Sequence, residues 1–141
     1  MCFSVDLGGA RIVGLDTHQP GSDGGYIGDE TMAWFVEQCR SAGGRPVLVF
    51  MHHPPLDTGD AFFDTIGLQG RESFFETVQS LDGIKGIGFG HLHRSLNLWE
   101  SPWVEGAPST AFGMTKQQDR WLRSTEHAGY LLWCLDDRGI K

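Results

Sequence analysis

Basic runs, C-x-x-C pairs and long apolar stretches are all missing from this chain of 141 residues. Its 11 Lys and Arg are scattered among 18 Asp and Glu, giving a formal net charge of −7 and a pI near 5.2. Nucleic acid and anionic membrane surfaces are held by clustered cations, so neither fits as the primary partner. A phosphorylated small molecule remains compatible, because bound metal ions can supply local positive charge. The 3 cysteines (Cys2, Cys39, Cys134) are odd in number and far apart, which suits thiols in a reducing cytoplasm rather than a disulfide framework. No apolar run approaches the roughly 20 residues of a membrane span. The opening Met1-Cys2-Phe3-Ser4-Val5-Asp6 has neither the basic nor the apolar region of a signal peptide. A soluble cytoplasmic protein is the expectation.

What is present reads as one globular domain over residues 1–141, with 40% hydrophobic and 21% charged residues. Cys2–Leu7 and Arg11–Asp16 flank Gly8-Gly9 as a β-hairpin. After the glycine-rich loop 21–25, Asp29 is placed to cap a helix over about 30–41, with Met32, Phe35, Val36 and Cys39 forming one apolar stripe. Pro46–Met51 and Ile84–Phe89 are apolar runs of strand length, the kind covered on both faces. Between them lie a long loop from Leu56 to about Gly70 and a second helix over 71–81, with Phe74, Phe75, Val78 and Leu81 inward. Leu96–Trp99, the stretch from Trp103 to Ala111 and a final strand-like run, Tyr130–Leu135, follow; Asp136–Gly139 reads as a turn. Strands alternating with helices predict an α/β layer architecture with neighbouring strands parallel.

Four of the 6 histidines close the two buried runs in pairs, as Met51-His52-His53-Pro54-Pro55 and Gly90-His91-Leu92-His93. A lone His-Pro is more often a turn, and a lone His-x-His is common by chance. Two pairs at the ends of neighbouring strands, one crossover apart, point to metal ligation. In an extended segment His91 and His93 would face the same way, about 6–7 Å apart at Cα, with Leu92 packed behind. Gly90 leaves room for a sharp turn, and Pro54-Pro55 fixes an extended exit for His52.

Val47–Pro55 followed by Gly90-His91-Leu92-His93 resembles the last two motifs of the calcineurin-like metallophosphoesterases. The likeness is to the class III branch, which holds bacterial cyclic-nucleotide and glycerophosphodiester phosphodiesterases. Ile12–Thr17 running into Pro20–Gly25, His52–Leu56 and Ala107–Ala111 support it. The resemblance implies a β-sandwich flanked by helices (αββα layers) and a site for two Mn, Fe or Zn ions. It also implies in-line attack on phosphorus by a hydroxide held between them. By motif position His52 and His91 would bind one ion and His93 the other. His53, the candidate catalytic residue, would sit at the cleft mouth, contacting substrate or serving in packing.

The same family carries three earlier motifs: Asp-x-His, Gly-Asp and Gly-Asn-His. They are not found here, and the one asparagine, Asn97, lies beyond the Gly-His-x-His segment. Asp16-Thr17-His18, Gly28-Asp29 and Gly59-Asp60 imitate them, but Asp16-Thr17 aligns with an internal Leu-Asp-Thr/Ser segment of the family and Asp29 reads as a helix cap. Asp23 and Asp57 are loop carboxylates without a better claim. The expectation is therefore a single partial domain, the C-terminal half of a phosphodiesterase. It would hold one ion or none, show weak or no activity alone, and expose a sheet edge that favours a homodimer.

Two other functions compete. One is an inactive metal-binding or interaction paralogue. The other is a mononuclear zinc hydrolase using His52, His91 and His93, with Asp57 or Asp60 swinging in as base. The 5 tryptophans read as packing residues, His127 as a surface residue and Arg94 as a salt-bridged or solvated tip. Lys116–Arg123 reads as a solvated helical or loop face; the related branch can use this region in a dimer contact.

Overall fold

A computed structural model describes residues 1–125, 128–136 and 139–140. Strand β1 (Phe3–Leu7) turns back into β2 (Ala10–Gly14) through Gly8 and Gly9, both at positive φ (58° and 85°). That pair of conformations is what a two-residue hairpin turn needs, and glycine adopts it without a Cβ penalty. From β2 the chain passes through helix α1 (Asp29–Arg40) to β3 (Val47–Met51). It then passes through α2 (Ala61–Thr65) and α3 (Arg71–Gln79) to β4 (Ile84–Phe89). Strands β5 (Leu96–Glu100) and β6 (Trp103–Gly106) complete one sheet in the order β1-β2-β3-β4-β6-β5. The four central strands run parallel and the two outer ones antiparallel; helical crossovers join β2 to β3 and β3 to β4, as parallel neighbours require.

Val13, Val49, Ile87 and Val104 stand side by side across this sheet, all 0% exposed. Helices α1 and α3 cover that row with Phe35, Cys39, Phe74, Phe75 and Val78, and Phe35 stacks on Phe74 at 5.6 Å between ring centroids. One β layer and the α layer on it are therefore present.

Several boundaries differ from the sequence reading. Asp29 is not the cap of α1: Gly28 holds that position without a side-chain bond, and Asp29 is the first helical residue. Its charge still suits a helix N-terminus. The long loop contains α2, whose cap is Asp60, accepting from the Phe62 amide. Lys116–Arg123 is neither helix nor loop but a hairpin of β7 (Gly113–Gln117) and β8 (Arg120–Ser124). Asp60 secures it, accepting from Lys116 Nζ at 2.8 Å and from Trp121 Nε1 at 3.3 Å. The run Tyr130–Leu135 is not a strand; only Leu135–Asp136 (β9) pairs, with Gly139–Ile140 (β10). His127 and two residues of the predicted turn, Asp137 and Arg138, lie outside the described residues.

Candidate metal centre

Parallel pairing aligns Met51 of β3 with Phe89 of β4, so His52 and Gly90 leave the sheet together, joined by Gly90 N–H donating to the His52 carbonyl at 3.0 Å. Beyond Gly90 the backbone is not extended. His91 and His93 take φ of 67° and 52° around a fully buried Leu92, whose amide bonds back to the Gly90 carbonyl at 2.7 Å. Left-handed conformations cost a non-glycine residue roughly 1–2 kcal/mol, and here they turn the two imidazoles apart. His91 Nδ1 meets His52 Nε2 at 3.1 Å. His93 instead donates from Nδ1 to the Phe112 carbonyl at 3.2 Å, its ring 4.4 Å from the Phe112 ring.

His53 is 5% exposed and lines the cleft beside His52 as a buried side chain. Its Nε2 lies 3.2 Å from the Asp23 carbonyl, which can only accept, so Nε2 carries the proton. Its Nδ1 then accepts from the buried Thr17 hydroxyl at 2.7 Å. Gly25 closes the third side, where a Cβ would stand 2.4 Å from His53 Nδ1.

One ligand atom each from His52, His53 and His91 lies within 4.8 Å of the others, and no carboxylate joins this cluster among the described residues. Both nitrogens of His53 are engaged by the protein, whereas His91 Nε2 is buried without a partner among the described residues. A buried imidazole nitrogen normally finds a partner, and a divalent cation is one that neutral imidazoles accept. The donor set therefore fits an ion held first by His52 and His91. His93 stands outside the cluster, its Nδ1 bond leaving Nε2 with a free lone pair.

Burial pushes His91 down to about 4, with the neighbouring imidazoles of His53, His52 and His93 adding to the effect. Burial, then His93, lowers His52; burial, then His52, lowers His53, against the raising effect of the Asp23 carbonyl. These rings are thus neutral near pH 7, as ligation requires. With a chelator present, the unfolded chain takes up protons near the ordinary imidazole value of about 6.5, before folded His91 does. Stability should then rise with pH between about 4 and about 6.5 and be lost as pH falls through that window. Urea midpoints at pH 7, 6 and 5 check this; a flat or opposite trend would contradict the neutral cluster.

An open cleft of about 420 Å³ borders His52, His53 and His91, and Asp16, His18 and Asp23 also line it. Asp16 and His18, which sequence alignment set aside, come here because β2 lies beside β3 in parallel. The Asp16 carboxylate accepts from the Met1 amino group and from the His18 amide. Asp57 pairs with Arg71 at 2.6 Å and Asp60 with Lys116, so both proposed bases of a zinc hydrolase are committed elsewhere. The Arg94 guanidinium lies 5.3 Å from the Trp121 ring centroid and makes no ion pair among the described residues. Three of the tryptophans pack on phenylalanine rings: Trp121 on Phe63, Trp99 on Phe75 and Trp133 on Phe50. Sequence reasoning missed the Thr17 and Gly25 contacts, which have no local signal.

No family model matches the chain. Among known proteins, a probable cyclic nucleotide phosphodiesterase of Synechococcus sp. (strain WH7803) is 31% identical over 97% of this chain and 54% of its own length. The 3',5'-cyclic adenosine monophosphate phosphodiesterase CpdA of Pseudomonas aeruginosa is 32% identical over 96% of the chain and 50% of its length. The glycerophosphodiester phosphodiesterase GpdQ of Enterobacter lignolyticus is 33% identical over 78% and 40%. The chain thus spans about half the length of these relatives, and it belongs to the metallophosphoesterase branch of cyclic-nucleotide and glycerophosphodiester phosphodiesterases.

Proposed function

We propose that this chain is a single partial domain carrying the C-terminal half of a metal-dependent phosphodiesterase site. The observation that carries the reading is the contact of His52 Nε2 with His91 Nδ1 at 3.1 Å beside the unpartnered His91 Nε2. His52 and His91 hold the first ion. His93, oriented by the Phe112 carbonyl, offers Nε2 to a second. A bound divalent ion, Mn, Fe or Zn, supplies charge for phosphoryl oxygens and lowers the pKa of a water. His53, fixed between Thr17 and Asp23, forms the wall of the pocket and keeps the cluster packed; its proposed part in catalysis is to shape the place where substrate meets the ions.

The substrate is a small phosphodiester, of the cyclic-nucleotide or glycerophosphodiester kind on which the relatives are named as acting. The chain's net charge of −7 and scattered cations argue against nucleic acid. No described helix is long and apolar enough to cross a membrane, and the cysteines are unpaired, which supports a cytoplasmic setting. A mononuclear zinc hydrolase is the weaker reading, since Asp57 and Asp60 are held away in ion pairs.

Elemental analysis after equilibration with Mn²⁺ or Zn²⁺ should give one ion per chain. His52→Ala and His91→Ala should each weaken binding by more than the roughly 10–100-fold that loss of an outer-shell partner costs. Hydrolysis of bis(4-nitrophenyl) phosphate by the chain alone should be weak or undetectable. Ion content unchanged in both variants would overturn the assignment.

A further inference from the structure

Phe112, whose carbonyl accepts from His93 Nδ1, is the residue just before β7, so its place depends on where the β7–β8 hairpin is held. The hairpin's own ladder fixes its shape but not its position against the rest of the molecule. One of its faces supplies the attachment. Lys116 and Trp121 stand opposite each other in the register and so share that face. Arg123, two residues past Trp121 along β8, lies on it as well, and its guanidinium is 4.6 Å from the Phe112 ring centroid. Asp60 grips the same face. Its side chain is 12% exposed and both oxygens are used: Oδ2 accepts from Lys116 Nζ, and Oδ1 from Trp121 Nε1 and the Phe62 amide. The Lys116 bond lowers the Asp60 carboxyl, against the raising effect of burial, so the group is an anion at neutral pH. The Trp121 ring packs 4.8 Å from that of Phe63 in α2, and its other neighbour is Arg94, the residue after His93. The loop that leaves His52 and His53 is thus tied to the hairpin that carries Phe112.

We propose that Asp60 is a positioning residue for His93. By anchoring Lys116 and Trp121 it fixes the Phe112 carbonyl, and that carbonyl keeps the His93 proton on Nδ1. The inference rests on the reading of His93 as a ligand that offers Nε2 to an ion. A carbonyl can only accept, so it selects one of the two neutral tautomers. An imidazole oriented in this way presents its opposite nitrogen, lone pair outward, to a metal. His93 also holds a left-handed backbone, φ 52°, so packing from neighbouring segments, not local preference, sets its direction. Without the anchor the carbonyl shifts, and the proton is free to occupy either nitrogen. Half of the rings would then carry a hydrogen where the ion should bind.

The test is long-range proton–nitrogen correlation spectroscopy of the full chain with labelled histidines and a chelator present. At mildly alkaline pH, where imidazoles are neutral, it reads the tautomer of each ring. His93, assigned with His93→Gln, should be a single Nδ1–H form. Asp60→Ser keeps a capping hydroxyl for α2 but removes the carboxylate that reaches the hairpin, and should turn His93 into a mixture of both tautomers. Lys116→Met combined with Trp121→Phe leaves Asp60 in place and should do the same. Asp60→Asn keeps an acceptor for Trp121 and should restore part of the Nδ1–H signal. His53, held by Thr17 and Asp23, should stay Nε2–H in every variant. The inference is overturned if His93 remains a single Nδ1–H tautomer in Asp60→Ser or in the double variant. A His53 signal that changes along with His93 would overturn it equally, because it would mean general loosening. Should Asp60→Ser not fold, the double variant alone decides. No metal or substrate enters this measurement, so an expected tautomer pattern in a chain that binds no ion would support the anchor and count against the phosphodiesterase reading.

Discussion

Phe35→Ala is expected to remove about 3–5 kcal/mol of folding stability, the range for truncating a buried phenylalanine to alanine. Phe35 is 0% exposed and stacks on Phe74, so it joins α1 to α3 over the sheet. Two terms add: the transfer energy of the lost ring, and the contacts that Phe74 and the strand valines forfeit around the void. Backbone on both sides is fixed by helix and sheet, which limits collapse into the cavity. Domains are stable by only about 5–15 kcal/mol, so a large share of the total would go. Urea denaturation followed by tryptophan fluorescence measures it, with Leu132→Ala as the exposed control, expected within about 0.5 kcal/mol. A loss at Phe35 below about 1 kcal/mol would mean that this core is not packed as described.

Gly25→Ala is expected to be the most damaging single methyl in the molecule for the site. The added Cβ would stand 2.4 Å from His53 Nδ1 and 2.5 Å from its Cγ, distances that side chains do not tolerate. Neither partner can retreat easily. The Gly25 amide donates to the Gly67 carbonyl, its own carbonyl accepts from Gln69, and His53 is held by Thr17 and Asp23. Overpacking costs about 1–3 kcal/mol, and expelling His53 strands a buried hydroxyl and a carbonyl for about 1–3 kcal/mol more. The expected sum is about 2–6 kcal/mol, together with weaker metal binding as His53 is displaced beside His52 and His91. Denaturation midpoints and zinc titration of the same variant test both parts. Full stability with unchanged zinc affinity would show that His53 is not wedged as described.

Much of this was legible beforehand, for a local reason. Val47–Met51 and Ile84–Phe89 are unbroken apolar runs, and Phe35 and Cys39, like Phe74 and Val78, recur at the helical period, so strands and helices announce themselves within a few residues. The short α2 was hidden because five residues give no period. The β7–β8 hairpin was hidden because Lys116–Arg123 is polar and exposed, and is held by distant Asp60 instead of its own pattern. Tyr130–Leu135 erred the other way: strand composition is intrinsic, but a strand exists only where a neighbour supplies the ladder.

The sequence by itself determined the alternation of strands and helices, the buried apolar runs of β3 and β4, and the placing of two histidine pairs at adjoining strand ends. All of these follow from periodicity and spacing along one chain. Only the tertiary structure decided which nitrogen faces which. His91 turns to His52 and His93 to Phe112 because both residues adopt left-handed backbone around buried Leu92. His53 becomes a wall instead of a free imidazole because Thr17, Asp23 and Gly25 reach it from up to 36 residues away. Side-chain direction depends on a few backbone angles set by packing between distant segments, and spacing in the sequence carries no record of them.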